Sequence, residues 1–383
     1  MKEVQPIRVM QVIARMNVGG PAVIVDELMR GLNENRFEEI LVTGYCAEDE
    51  SDYLDEVATD TPVTRIPGLG RSVSVLGDIK SFFKLLEIIR KFKPDIIHTH
   101  TAKAGVLGRV AGLIARPKAK RIHTFHGHLL NGYFGVFKTK IVIITERLLA
   151  RVSTKLLAVG NQVQVDLLEA KIGKKNQYAV IFPGLRELGV QSKKSARGEL
   201  GLSLDKLYLV FVGRLTQVKR PDRLIDIARH LKTAHQLVEI LVAGAGEKFE
   251  ELQMITNTEN LPITFFGWRN DIGRILSAGD IALLCSDNEG IPLTLIQASQ
   301  AGLPIISTNV GSVSDIVIQD KTGILTEVSS IGLIHALDEL LSDPEKVARF
   351  GQSGRKRAEA LFSIQGMIST HENLYLKVIE KNN

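Results

Sequence analysis

Two α/β halves of the doubly wound type are what this sequence predicts, on three observations. Short apolar runs alternate with amphipathic stretches of helical length through most of the chain. The alternation pauses once, in the polar stretch Gly189-Val190-Gln191-Ser192-Lys193-Lys194-Ser195, and then restarts. At 383 residues the chain has material for two separate cores.

In the first half, strands are expected at residues 8–13, 40–43, 96–98, 121–124 and 155–159, with a helix over 21–32. The second half repeats the pattern, with strands at 208–212, 239–243, 263–265, 281–285 and 304–307. From about Asp343 the tail reads as Lys- and Arg-rich helices broken near Ser363. These readings divide the chain into a first domain over 1–188, a second over 189–360 and a final helix over 361–383.

Hydrophobic content of 44% and charged content of 24% are ordinary for a soluble globular protein. No apolar run approaches the roughly 18 residues of a membrane span, and Met1 to Pro6 lacks the layout of a signal peptide. The two cysteines, Cys46 and Cys285, are far apart. A reducing cytoplasmic setting is therefore expected.

Net charge is only +5, but it is unevenly spread. No acid occurs between Asp95 and Glu146, while Lys103, Arg109, Arg116, Lys118, Lys120, Arg121, Lys138 and Lys140 do. Leu129, Leu130, Tyr133, Phe134, Val136 and Phe137 lie in the same interval. Basic and apolar residues together suit an anionic membrane face or a lipid-phosphate substrate, or make an ordinary solvated surface. Nucleic acid is not expected, because no nucleic-acid-binding pattern accompanies the charge.

The segment from Ser286 to Pro304 carries the clearest functional signal. A turn with Glu289 and Gly290 follows a buried-type strand, and Ile291, Pro292, Leu293 and Thr294 open a helix closed by Gly302 and Pro304. Pro292 is expected at the first helical position. Free backbone N–H groups at such a tip suit phosphate, and Glu289 and Gln297 could take ligand hydroxyls. After another strand, Gly213-Arg214-Leu215-Thr216-Gln217-Val218-Lys219 offers a backbone that a ligand can approach and two cations. Gly19-Gly20-Pro21, between the first strand and its helix, is an anion-binding turn or a plain tight one. Gly244-Ala245-Gly246 reads as mainly structural.

Five of the nine histidines are His98, His100, His123, His126 and His128. Zinc is one reading, but no Asp, Glu or Cys stands nearby to complete a site. The other reading places one imidazole, His126, in a cleft while its neighbours pack.

Ser-x-x-Glu-Gly-x-Pro followed by Ala-x-x-x-Gly-x-Pro, together with Gly-Arg-Leu-x-x-x-Lys, resembles the donor-binding signature of the retaining family-4 glycosyltransferases, the glycosyl transferases group 1. The resemblance implies the GT-B fold: two facing Rossmann-like domains with a cleft between them, the first for acceptor and the second for donor, and a last helix crossing back. It implies that Glu289 holds sugar hydroxyls, that Arg214 and Lys219 clamp a diphosphate, and that His126 lies against the donor sugar. The Gly-Gly loop would contact donor phosphate and acceptor. The 265–272 and 310–325 segments would border the base and close the donor site. The family's second Glu, on the ribose, is replaced here by Gln297, which can hydrogen-bond hydroxyls without charge assistance.

The expected function is transfer of a sugar, by family frequency from a UDP-linked donor, to an acceptor of lipid-linked type in surface polysaccharide assembly. A peripheral location on the inner membrane face goes with it. No carboxylate pair for a double displacement is evident in the first domain. Retention would then come from same-face attack, with the leaving diphosphate taking the acceptor proton. No Asp-x-Asp motif occurs, so neither a metal nor another cofactor is expected. Two other classes stay open: a non-catalytic partner subunit, suggested by Gln297, and a nucleotide-sugar epimerase.

Overall fold

The structure is a computed structural model that describes residues 5–48, 50–58, 60–127 and 136–380. The chain forms two compact units, residues 1–184 with 364–383, and residues 185–363.

Unit 1 is built on a parallel sheet of β1 (Ile7–Ile13), β2 (Phe37–Thr43), β3 (Val63–Arg65), β4 (Ile96–His100), β5 (Lys120–Phe125), β6 (Lys155–Ala158) and β7 (Tyr178–Val180). Its order is β3-β2-β1-β4-β5-β6-β7. The central strands are buried along most of their length, polar residues such as Gln11, His98, His100 and His123 included. The final helix, Ile364–Glu380, belongs to this unit. Met367, Ile368, Tyr375 and Val378 pack with Val9, Ile24 and Leu28. Gly31 allows this close approach, since a Cβ there would fall 2.0 Å from Ile368 Cδ1 and force that side chain to move.

Unit 2 repeats the plan with β8 (Leu207–Val212), β9 (Val238–Ala243), β10 (Ile263–Gly267), β11 (Ile281–Leu284), β12 (Ile305–Thr308) and β13 (Gly323–Thr326). The order is β10-β9-β8-β11-β12-β13, all parallel. Its core joins Leu209, Phe211, Ile240, Leu283, Ile306 and Phe350.

The division falls at Gly184/Leu185 and Ser363/Ile364, where the sequence suggested 188/189 and 360/361. The polar stretch is not a linker. Ser192 is the N-cap of a helix over Lys193–Glu199, its side chain accepting from the Ser195 N–H. Leu185 donates instead to the Phe362 carbonyl, so unit 2 begins and ends at one point. β3, β7 and β13 went unpredicted: each is a short strand at a sheet edge, without the fully buried apolar run of the inner strands.

Candidate functional site at the switch points

Each sheet reverses its winding beside its first strand, between β1 and β4 and between β8 and β11. Ligands of such sheets gather there, beyond the C-terminal strand ends. Most of the expected residues stand at these two points.

In unit 2 the loops after β8 and β11 are bound together. The Asp287 N–H donates to the Val218 carbonyl at 2.9 Å. Buried Arg223 donates to the Cys285 carbonyl at 2.5 Å and stands 2.7 Å from Asp287, and Arg220 adds a contact at 3.1 Å. On this frame Lys219 Nζ lies 2.5 Å from Glu289 Oε1, and the Ser286 hydroxyl donates to the same oxygen at 2.6 Å. Glu289 is buried, and both bonds fall on Oε1, so Oε2 keeps lone pairs for another donor. Arg214 is exposed and forms no ion pair among the described residues. Beside it, Gly213 fixes Gly244, because a Cβ on Gly244 would sit 1.9 Å from the Gly213 oxygen. Packing between the two loops thus requires glycine at 244.

The Glu289-Gly290 turn carries a second loop. Ser312 N–H donates to the Gly290 carbonyl at 2.9 Å. Gly311 has φ 51°, and a Cβ there would meet the Glu289 oxygen at 1.8 Å. Ile291 is buried, while Gly290, Leu293 and Thr294 are half-buried. The helix spans Leu293–Gln300 with Pro292 as its N-cap (ψ 105°), not its first residue, a one-position correction. A proline has no N–H to lose in either place. The first-turn N–H groups lack intrahelical acceptors. Gln297, one turn in, is half-buried and makes no side-chain hydrogen bond among the described residues.

In unit 1 Gly19 is the N-cap and Gly20 the first residue of a helix over Gly20–Gly31. Gly19 is extended (φ 162°), and a Cβ there would meet only the Asn17 oxygen at 3.8 Å. Nothing in the fold demands glycine at 19.

The histidines form a buried hydrogen-bonded group. His98 Nδ1 lies 2.6 Å from the Tyr375 hydroxyl and its Nε2 2.7 Å from Thr124 Oγ1. His100 Nδ1 lies 2.9 Å from His126 Nε2, and its Nε2 3.0 Å from Gln11 Oε1. Gln11 Nε2 donates to Glu39 at 3.1 Å and to the Tyr375 hydroxyl at 3.3 Å. His123 Nδ1 meets Thr99 Oγ1 at 2.8 Å. Burial pushes His98, His100 and His123 well below the ordinary imidazole value and His126 down to about 3. It pushes Glu39 up to about 8. His126 Nδ1 is buried without a partner. His128, with Leu129, Leu130, Tyr133 and Phe134, lies outside the described residues, and so does the side chain of Val136.

Among the described residues one group converges as metal ligands would: His230, His235 and Asp338. His235 precedes β9, so the group stands at the end of the unit 2 sheet opposite Gly213 and Glu289.

The basic interval is less of a surface than its sequence suggests. Arg109 is fully buried, with Nη2 2.8 Å from both oxygens of Glu146. Arg121 donates to three backbone carbonyls, and Lys103 pairs with Asp78 at 2.5 Å. Lys118, Lys138 and Lys140 are exposed, while Arg116 and Lys120 are half-buried.

Sequence reasoning did not assign Gln11, His100, Tyr375, Arg223 or Asp287 to the site. Gln11, inside an otherwise apolar strand, was the available signal. Arg223 gave none, since it reads as the polar face of a helix.

Comparison with known proteins extends over both units. The family model of glycosyl transferases group 1 matches residues 192–357, and that of glycosyltransferase family 4 matches residues 18–186. A relative in Escherichia coli, UDP-Gal:alpha-D-GlcNAc-diphosphoundecaprenol alpha-1,3-galactosyltransferase, is 29% identical over 86% of each chain. The capsular polysaccharide biosynthesis glycosyltransferase CapM of Staphylococcus aureus is 24% identical over 82% of this chain and 85% of its own. The crystal structure of Anabaena HepE in complex with UDP superposes with TM-score 0.81 at 20% identity, covering 97% of this chain and 100% of that one. Sucrose-phosphate synthase of Thermosynechococcus elongatus gives TM-score 0.80 at 20% identity, over 98% and 100%. With both halves matched and the GT-B fold in place, the chain belongs to glycosyltransferase family 4 and is a hexosyltransferase of glycan biosynthesis.

Proposed function

We propose that the protein moves a hexose from a UDP-linked donor to a lipid-linked glycan acceptor, with retention of configuration and without a divalent metal, at the inner face of a membrane. The carrying observation is the switch point of unit 2, where Lys219 and Glu289 are locked together and Arg214, on the same loop as Lys219, has no ion pair among the described residues. As the anomeric C–O bond breaks, negative charge grows on the departing diphosphate. Arg214, Lys219 and the first-turn N–H groups of the Leu293–Gln300 helix stabilise that charge. Ile291, Pro292, Leu293 and Thr294 line its approach behind Gly290, while Gly213 lets the chain run close beneath it.

Glu289 Oε2 takes a hydroxyl of the sugar, and Gln297 takes the ribose hydroxyls. Gly19 and Gly20 let phosphate or acceptor come close, which the open space over Gly19 supports. His126 offers Nδ1 to a sugar hydroxyl. The leaving diphosphate oxygen accepts the proton of the acceptor hydroxyl on the same face, so no enzyme nucleophile is needed.

The acceptor class follows the Escherichia coli relative, whose name specifies a diphosphoundecaprenol-linked sugar. No helix among the described residues is long and apolar enough to cross a membrane. The helix Val136–Arg151 nevertheless exposes Phe137, Ile141, Ile144 and Leu148 along one stripe, with Lys138 and Lys140 beside it. That stripe suits a bilayer with anionic headgroups.

The test is turnover of a panel of UDP-hexoses with polyprenyl-diphosphate-linked acceptors in vesicles containing chelator. The expected product keeps the donor's α-configuration and releases UDP. Absence of UDP release with every pair, from protein that binds UDP, would discard the reading.

A further inference from the structure

We propose that Gln11 and His100 are positioning residues that hold His126 as its Nε2–H tautomer, leaving Nδ1 as a fixed acceptor for one hydroxyl of the transferred sugar. The inference rests on the reading that His126 meets that sugar, and it adds how the imidazole is set and what it selects.

One chain of hydrogen bonds links Glu39, Gln11, His100 and His126. The Gln11 amide nitrogen, a donor only, faces the Glu39 carboxyl at 3.1 Å and the Tyr375 hydroxyl at 3.3 Å. Its oxygen, an acceptor only, therefore faces His100 Nε2 at 3.0 Å, so His100 carries its proton on Nε2. A neutral imidazole has one N–H, which leaves His100 Nδ1 bare. His126 Nε2, 2.9 Å away, must then be the donor. His126 Nδ1 is left with a lone pair, no partner and no exposure. Burial holds both imidazoles neutral at ordinary pH.

The arrangement is well braced. Gln11 and His100 are wholly buried on paired strands, β1 and β4. The Tyr375 hydroxyl accepts the second Gln11 N–H and lies 2.6 Å from His98 Nδ1. Above about pH 8, where Glu39 is ionised, turning the Gln11 amide over would set its oxygen against a carboxylate. The chain of bonds thus starts at β2 and ends in the loop after β5. An acceptor without a partner in a buried place is what a ligand O–H satisfies, and what a deoxy or fluoro substituent leaves unpaired.

Long-range ¹H–¹⁵N spectra of histidine-labelled protein test the tautomer directly. Above about pH 8, with Glu39 ionised, wild-type His126 should show a protonated Nε2 and a bare Nδ1. His100→Leu should mix the tautomers and lower kcat/KM by roughly ten- to a hundredfold, the range expected when a buried polar group loses its partner. His100→Asn, whose Oδ1 takes the place of Nδ1 and accepts from His126, should restore the tautomer and most of the lost rate. Among deoxy donors, one should be rejected by wild type and no longer distinguished in His126→Phe.

A protonated Nδ1 in wild-type His126, or an unchanged tautomer in folded His100→Leu, overturns the relay. If His100→Leu does not fold, the wild-type spectrum together with His100→Asn decides. A correct tautomer with every deoxy donor used equally by wild type and His126→Phe instead overturns the placement of His126 against the sugar.

Discussion

Lys219 and Glu289, 70 residues apart in sequence, meet at 2.5 Å beyond the ends of β8 and β11. Their side chains are 19% and 8% exposed, so the contact is one that water only partly screens. Family resemblance gave the two residues separate duties, on diphosphate and on sugar. The pair shows that the cation is also what holds the acid in place.

Breaking the pair from either side should therefore cost stability as well as rate. Lys219→Met and Glu289→Gln are each expected to lower unfolding free energy by about 1–3 kcal/mol, with the double variant losing less than the sum. Turnover in each should fall on the order of a hundredfold or more. Denaturant titration with steady-state rates measures both. Additive stability losses would mean the contact carries no coupling.

Stability should fall on acidification. His98, His100, His123, His126 and His371 all have depressed values, with His126 near 3 and His371 near 4. Above about 6.5 neither the folded nor the unfolded form is protonated at these sites. Below it the unfolded chain gains protons that the folded one refuses, so stability drops by up to about 1.4 kcal/mol per pH unit per histidine. Glu39 acts oppositely and singly, since its raised value favours the fold as pH falls from about 8 towards the ordinary carboxylate range. The five histidines outweigh it between pH 6.5 and 5. Calorimetry should show the unit 1 transition moving down over that interval, and a constant Tm would contradict the burial.

Two glycines separate folding from function. Gly311→Ala forces a Cβ onto the Glu289 oxygen at positive φ, so it should destabilise unit 2 by about 1–3 kcal/mol and weaken donor binding. Gly19→Ala meets open space and should leave Tm unchanged while raising KM for donor or acceptor. Unchanged kinetics in Gly19→Ala would remove that loop from the site.

Gln297→Glu should tighten UDP binding, because a charged acceptor roughly doubles the strength of a neutral hydrogen bond to the ribose. Calorimetric titration with UDP reads it. Weaker binding would place Gln297 away from the ribose.

Phe137→Ser with Ile141→Ser should cut partition onto anionic vesicles by about tenfold or more, with activity on a soluble acceptor analogue retained. Sedimentation at two salt concentrations separates this apolar contribution from that of Lys138 and Lys140. Equal binding would discard the stripe as a membrane face.

The longer strands, the tail helices and the motifs around Glu289, Arg214 and Lys219 were legible because each is a local pattern. An apolar run bounded by turn residues needs no distant partner to be read. Partnership was not legible. Arg109 and Arg121 count as positive charge in a sequence, yet one is buried on Glu146 and the other serves backbone carbonyls. Ser192 looked like linker polarity and is a helix cap.

The sequence by itself determined the two-sheet plan and which residue types gather at each strand end, since chain periodicity and turn chemistry act over a few residues. Only the tertiary structure decided that Lys219 meets Glu289, and that Glu39, Gln11, His100 and His126 lie in one line with Tyr375 of the last helix bracing Gln11. Hydrogen-bond direction and charge pairing depend on atoms brought together across the sheet. No spacing along the chain encodes them.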